Sequence, residues 1–358
     1  MTLVSIVGDF YSSVLPVFYE FHTKITNHVI VYDDYRADVL KAKQIIAGTR
    51  AFTEKNSLGI NTYTLQIDED SIESIEKIEN YLYALEQNKE DIYINATDGL
   101  ANIPLYLAHK MLPQGVRFIS YDRFDNSYNL LTQEYMHTHR IKNSLDIATH
   151  FLLKNINIEA QSSKQTAKEY EKDLFNIFYN YQGDVPRYLE QANKTSAYLQ
   201  QTQVGFLYEF YIYNLLKDLN HDDISIGVKV DESCTTTSGM HNEFDILIMK
   251  ENHLHMIECK FRKQLPMVDL VYKMDSVRTV LDDESKIIIL TNEEFYNKQT
   301  DAPNFHITPL HKRANAKKIY MRGSPRHNIA RFIREVDQIF KLKTKNIEKI
   351  IQKIDRKN

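Results

Sequence analysis

NEFDILIMKENHLHMIECKFRK, residues Asn242–Lys263, reads as two short strands joined by a tight polar turn. The spacing predicts strands over Glu243–Met249 and Leu254–Phe261, with Lys250-Glu251-Asn252-His253 as the turn. Residues two apart in a strand point to the same face. Glu258 and Lys260 therefore share a face, while Ile257 and Cys259 take the other. Asp245, near the start of the partner strand, can reach the same spot by cross-strand pairing. Leu247, Met249, Leu254, Met256 and Ile257 make both strands largely apolar. Two carboxylates and an ammonium are costly to bury there unless they pair or bind a metal.

Asp245, a gap of twelve residues, then Glu258-Cys259-Lys260 resembles the PD-(D/E)XK nuclease motif. An acid-x-lysine triplet alone is common; an upstream acid on the partner strand of a buried hairpin makes the pattern more specific. The competing reading is an exposed hairpin with a surface ion pair between Glu258 and Lys260.

Outward from the hairpin, 358 residues leave room for two domains, each with its own core. At 43% hydrophobic and 26% charged residues the chain reads as soluble and globular. No apolar run reaches membrane-spanning length. The opening MTLVSIVGDF lacks the basic start of a signal peptide and reads as a first strand. Cys234 and Cys259 give neither a disulfide framework nor a paired-cysteine metal site, which fits a reducing cytoplasm. From His311 onward there are 15 Lys and Arg against 4 Asp and Glu. That basic end is either a footprint for a polyanion or a solvated helical tail.

The N-terminal half alternates strands and helices. Strands are expected at residues 3–8, 28–33, 61–67, 91–95 and 116–121. Helices are expected from about Leu15, over Arg36–Gly48, over Ser71–Gln87 and over Leu100–Leu112. In the third helix Ile72, Ile75, Ile78, Leu82 and Leu85 mark the buried stripe. This rhythm predicts a parallel, doubly wound sheet, whose ligands bind beyond the carboxyl ends of the strands. Two loops lie there, Gly8–Ser13 and Asn95–Gly99. Neither is a dinucleotide fingerprint nor a P-loop, and as bare sequence both are ordinary strand-to-helix turns.

In the C-terminal half, Gly205-Phe-Leu-Tyr-Glu209 opens an aromatic-rich helix that runs to about Leu219. Glu209 sits there on an otherwise apolar face. Beyond the hairpin a helix over Asp269–Leu281, a strand over Lys286–Thr291, a helix over His311–Lys318 and a strand over Ile319–Arg322 follow. The tyrosine-rich helices read as packing elements rather than base-stacking platforms.

With these features together the chain resembles the CARF-domain PD-(D/E)XK nucleases, ancillary effectors of type III CRISPR defence. The resemblance implies an α/β protein. Its N-terminal Rossmann-like CARF domain has a parallel sheet, and its C-terminal domain is a PD-(D/E)XK, restriction-endonuclease-like α/β fold. The implied layout is a ligand-sensing domain over 1–155, a helical linker over 156–200, a nuclease domain over 201–323 and a basic helical tail over 324–358. Implied catalytic residues are Glu209, Asp245, Glu258 and Lys260. The implied metal set is Asp245, Glu258 and Cys259, holding Mg²⁺ or Mn²⁺. A cyclic oligoadenylate, most simply the tetra-adenylate, would bind at Asp9, Ser12, Ser13, Asn95, Thr97, Asp98 and Gly99 and activate cleavage of DNA or RNA within a cytoplasmic homodimer. Relatives often continue the Asn-x-Thr loop with Gly-Gly-Thr-Lys; here Asp98-Gly99-Leu100-Ala101 has no lysine and an added acid. Two other readings compete: a ligand-sensing nucleic-acid binder that does not cleave, and a restriction or repair endonuclease with no second messenger.

Overall fold

The computed structural model describes residues 1–8, 11–34, 36–68, 71–86, 88–99, 102–231, 241–261, 267–282, 284–291 and 309–356. Asp9, one of the expected ligand residues, lies outside them. The chain divides into two compact units, the first Met1–Asn157 and the second built mainly from Ile158–Val230 and His241–Asn358.

The first unit holds a seven-stranded sheet. Its strands are β1 (Thr2–Ile6), β2 (Asn27–Asp33), β3 (Asn61–Ile67), β4 (Ile92–Asn95), β5 (Arg117–Asp122), β6 (Ser127–Leu131) and β7 (Met136–Arg140). Their order is β3-β2-β1-β4-β5-β6-β7. β1 to β5 are parallel, and β6 and β7 add an antiparallel extension. The order reverses between β1 and β4, the switch point where such sheets bind ligands. One face is sealed by Val4, Ile6, Val29, Val31, Ile92 and Ile94 against Ile75, Ile78 and Leu82 of the helix Ile72–Leu85. Ser71 caps that helix by accepting from the Ser74 amide. Ile72, expected in its stripe, is instead 62% exposed, because it lies at the helix start beyond the sheet contact.

Two differences from expectation have local causes. The helix expected to end at Gly48 runs over Arg36–Lys55. Gly48 does not cap it: a side chain there would collide with the Leu153 carbonyl of the helix Ile147–Leu153, so glycine serves close helix approach. The β6–β7 hairpin is absent from the strands expected of the sequence. β7 is exposed along its whole length and so lacks the apolar alternation that marks a half-buried strand.

The second unit holds a six-stranded sheet of β8 (Asn157–Ala160), β9 (Asp223–Asp231), β10 (His241–Lys250), β11 (His253–Lys260), β12 (Ile287–Thr291) and β13 (Ile319–Arg322), in the order β13-β12-β11-β10-β9-β8. The segment expected as a linker and the segment expected as a tail both belong to its core. Leu174, Phe178, Leu189 and Leu199 share one apolar cluster with Ile333, Val336, Phe340 and Ile351 and with Ile246, Ile257 and Ile288 of the sheet. Much of the basic charge at the C-terminal end is engaged within the unit. Arg322 and Arg331 both bind Glu335, at 2.6 and 3.0 Å, Arg334 binds Glu348 at 2.7 Å and Lys353 binds Asp218 at 2.9 Å. The last helices are therefore packed elements rather than a solvated tail.

Candidate active site

Register in the β10–β11 hairpin sets the chemistry. Its turn is two residues, Glu251 and Asn252, both left-handed at φ 50° and 65°. Such turns fix strand pairing without slippage. Lys250 pairs with His253, and the ladder continues to Ile246 opposite Ile257. One step further, Asp245 stands across from Glu258. There the Asp245 carboxylate also accepts the backbone amide of Cys259, at 2.6 Å.

Lys260 closes the cluster. Its ammonium lies 2.5 Å from Glu258 Oε1, 3.3 Å from Asp245 Oδ2 and 3.5 Å from the Cys259 carbonyl oxygen. β12 runs parallel to β11 with Ile289 beside Glu258 and Thr291 beside Lys260, so the outer flank is apolar or neutral. Behind Lys260, Phe261 packs against Tyr208 and Phe178 at ring separations of 5.1 and 5.3 Å, which anchors the strand end.

Electrostatics follow from burial. Asp245 is pushed up to about 7 by burial and then by the Glu258 charge, against the opposing pull of Lys260 and the Cys259 amide. Glu209, on the helix Val204–Leu216 and 9% exposed, is pushed up to about 9 by burial and by Asp245. Burial works against the Lys260 ammonium, but Asp245 and Glu258 outweigh it and hold that group above its ordinary value. Displaced pKa values gathered at one spot are common at functional sites and in buried ion-pair networks alike.

Do these residues fit a divalent metal? Glu258 Oε2 is buried with no hydrogen-bond partner among the described residues, and an orphaned carboxylate oxygen suits a cation. Asp245, Glu258 and the Cys259 carbonyl offer hard oxygen donors of the kind that suit Mg²⁺ or Mn²⁺, and the Lys260 ammonium lies against all three. The Cys259 thiol does not fit. Strand alternation turns it into the apolar cluster with Ile257, and burial raises it well above its ordinary value. Among the described residues no group of three or more His, Cys, Asp or Glu side chains is placed to hold a metal. The fitting donor set is thus two carboxylates and a backbone carbonyl.

In the first unit the structure sorts the expected ligand residues. Ser12, Ser13, Thr97 and Asp98 line a 360 Å³ cleft at the carboxyl ends of β1 and β4. Asn95 does not line it. Buried at 1% exposure, it donates to the Ser13 carbonyl at 2.7 Å and accepts from the Thr97 hydroxyl at 2.5 Å, so it clamps one loop to the other. Gly99 packs against Ile6 at φ 93°. The added acid, Asp98, accepts from the Ser13 hydroxyl at 3.1 Å. Sequence reasoning missed Lys41, whose ammonium donates to the Gly8 carbonyl at 2.7 Å and brings a cation to the loops from the helix Arg36–Lys55. It also missed Ser120, Arg123, Phe124 and Asn129, which line the cleft from the β5–β6 region. Recognising the β6–β7 hairpin was the signal that would have found the last of these.

Residues 198–291 match the family model described as Card1-like, endonuclease domain. The matched stretch carries Glu209, Asp245, Glu258 and Lys260. Among solved structures the chain resembles protein VC1899 from Vibrio cholerae, with 14% identity and a TM-score of 0.68 over 95% of this chain and 98% of that one. It resembles Can2 from Sulfobacillus thermosulfidooxidans in complex with cyclic tetra-adenylate, with 17% identity and a TM-score of 0.67 over 94% of this chain and 98% of that one. A third likeness is to a type III CRISPR defence DNA nuclease activated by cyclic oligoadenylate, with 13% identity and a TM-score of 0.51. It covers 82% of this chain and 45% of that one. At such identities the structural likenesses speak to the fold, which is the α/β architecture expected from the sequence. No curated protein matches the chain. The nuclease resemblance drawn from the hairpin thus agrees with the endonuclease-domain match.

Proposed function

We propose that this protein is a metal-dependent nuclease controlled by a cyclic oligoadenylate bound in the cleft of its first unit. The observation that carries the nuclease reading is the buried cluster of Asp245, Glu258 and Lys260, with one Glu258 oxygen left unpartnered.

Asp245, Glu258 and the Cys259 carbonyl would hold Mg²⁺ or Mn²⁺. When bound, the ion acidifies a water and neutralises charge on the scissile phosphate. The remaining work falls to the chain itself. Lys260, freed from its carboxylate partners, faces the phosphate, orients the attacking water and offsets the charge that builds up in the transition state. Glu209, raised to about 9 by burial and by Asp245, would support Asp245 from the neighbouring helix. Substrate is a DNA or RNA phosphodiester.

Support for the activator comes from the switch-point cleft with its hydroxyl-lined loops. The solved likeness that carries cyclic tetra-adenylate points the same way. Asp98 favours the reading with no second messenger, since an acid facing a phosphate ring repels it; its bond from Ser13 and the nearby Lys41 ammonium reduce that penalty. A homodimer is part of the proposal.

One assay separates the readings. Labelled single- and double-stranded DNA and RNA are incubated with the protein and Mg²⁺ or Mn²⁺, with and without cyclic tetra- and hexa-adenylate. Cleavage that needs both metal and ring supports the proposal. Metal-dependent cleavage indifferent to either ring supports the messenger-free nuclease, and binding without cleavage supports the regulator.

A further inference from the structure

The cleft in the first unit has a wall that the two switch-point loops do not supply. Ser120 of β5 pairs with Asn129 of β6, and Asn129 pairs with Thr138 of β7. Residues paired directly across a sheet project to one face, so three polar side chains form a row there. Thr138 donates its hydroxyl to Asn129 Oδ1 at 2.6 Å. That bond fixes the amide and leaves it one acceptor lone pair and two N–H donors. Such a set matches the adenine edge, which offers an N–H donor beside a ring-nitrogen acceptor.

Phe124 stands at the same wall and is 63% exposed. Scattered exposed apolar residues are normal, but this one rides on a braced turn. Its own amide donates to Asp122 Oδ1 at 2.9 Å, and the Tyr121 hydroxyl donates to Asn126 Oδ1 at 3.0 Å. The Arg123 guanidinium lies 5.5 Å from its ring centre. On the loop side of the cleft Ser12 is 6% exposed, and its hydroxyl is buried with no partner among the described residues. A buried hydroxyl left unsatisfied there suits a polar ligand. The cleft thus pairs an aromatic face and a spare amide with an unmet hydrogen-bonding group.

We propose that the β5–β6 region is the base-reading wall of the cleft: Phe124 offers a purine a face to stack on, and Asn129, steadied by Thr138, takes the adenine edge. This rests on the reading that a cyclic oligoadenylate occupies the cleft. It deepens that reading by assigning base selectivity to residues outside the two switch-point loops.

The test is calorimetric titration of the full chain with cyclic tetra-adenylate and with cyclic tetra-inosinate, whose base presents a carbonyl where adenine has its amine. Phe124→Ala is expected to weaken tetra-adenylate binding roughly tenfold or more, with Phe124→Tyr restoring it. Asn129→Ala is expected to shrink the preference for adenylate over inosinate by about tenfold. Unliganded melting midpoints equal to that of the unaltered protein confirm that each variant folds. Folded variants that keep the full affinity and preference overturn the base-reading wall alone. If the unaltered protein binds neither ring, the activator reading falls and takes this inference with it.

Discussion

Glu258 Oε2 has no donor facing it, and its partner oxygen is held by the Lys260 ammonium at 2.5 Å. Removing its charge while keeping its shape should therefore strip the site of a metal donor without opening a hole. Glu258→Gln is expected to lower metal-dependent cleavage at least ~100-fold, and Lys260→Ala by a similar factor through lost transition-state stabilisation. Gel assays of labelled substrate read both, and unchanged cleavage by either variant removes this assignment. Titration gives a second residue-scale prediction. Asp245 is raised from 3.8 to about 7 and Glu209 from 4.5 to about 9, so the folded state holds protons that the unfolded chain has already released. The stability that these two carboxyls contribute in the metal-free protein is then fully present below pH ~4 and is lost as pH climbs towards their raised values. Melting midpoints of chelated protein are expected to fall from pH 5 to pH 8, and Asp245→Asn should flatten the decline. A metal must displace those protons, so its apparent affinity should strengthen across the same range. Midpoints that rise with pH would contradict the burial of these carboxyls.

At the scale of elements, two segments do work that their sequence conceals. Asn95 joins the loops after β1 and β4 through the Ser13 carbonyl and the Thr97 hydroxyl, without lining the cleft. Asn95→Ala leaves buried polar groups unmet and is expected to cost about 1–3 kcal/mol. Denaturant melts of the first unit's signal would show it, and a change near zero would mean the clamp is dispensable. The C-terminal helix Ile329–Ile339 carries Ile333 and Val336 into the core at 0% and 1% exposure, and Ile347–Arg356 carries Ile351 in at 4%. Ile333→Ala is expected to cost about 2–5 kcal/mol, and deleting residues 329–358 to yield insoluble protein. A soluble, cooperatively melting truncation would restore the solvated-tail reading. The same elements show what the chain's letters reveal and what they hide. The hairpin was legible because apolar alternation, a polar turn and an acid-x-lysine triplet coincide within Asn242–Lys263. β3 and β13 were legible to their ends, Asn61–Ile67 and Ile319–Arg322, because turn-forming or charged residues bound them. β7 was not legible, because a strand exposed on every residue has no periodicity to read. The Cys259 thiol was legible as turned away, because alternation sets it opposite Glu258, whereas the approach of its carbonyl to Lys260 takes the folded hairpin to show. The C-terminal helices misled because their Lys and Arg dominate the composition, while Phe332, Ile333, Val336 and Phe340 decide where they pack.

On the scale of the whole molecule, the proposed control requires that a ring in the first unit's cleft change cleavage at the Asp245, Glu258 and Lys260 cluster of the second. Allostery requires that the ring bind the active state better than the resting one. A ring that binds the folded protein must also raise its melting midpoint with concentration. Strand cleavage is decisive when quantified for the unaltered protein and for Glu258→Gln, each with and without cyclic tetra-adenylate, in Mn²⁺ and in excess chelator. A ring-controlled metal nuclease cleaves only when metal and ring are both present, and its Glu258→Gln variant cleaves under no condition. Cleavage that survives the chelator, or that Glu258→Gln performs as well as the unaltered protein, would contradict that reading.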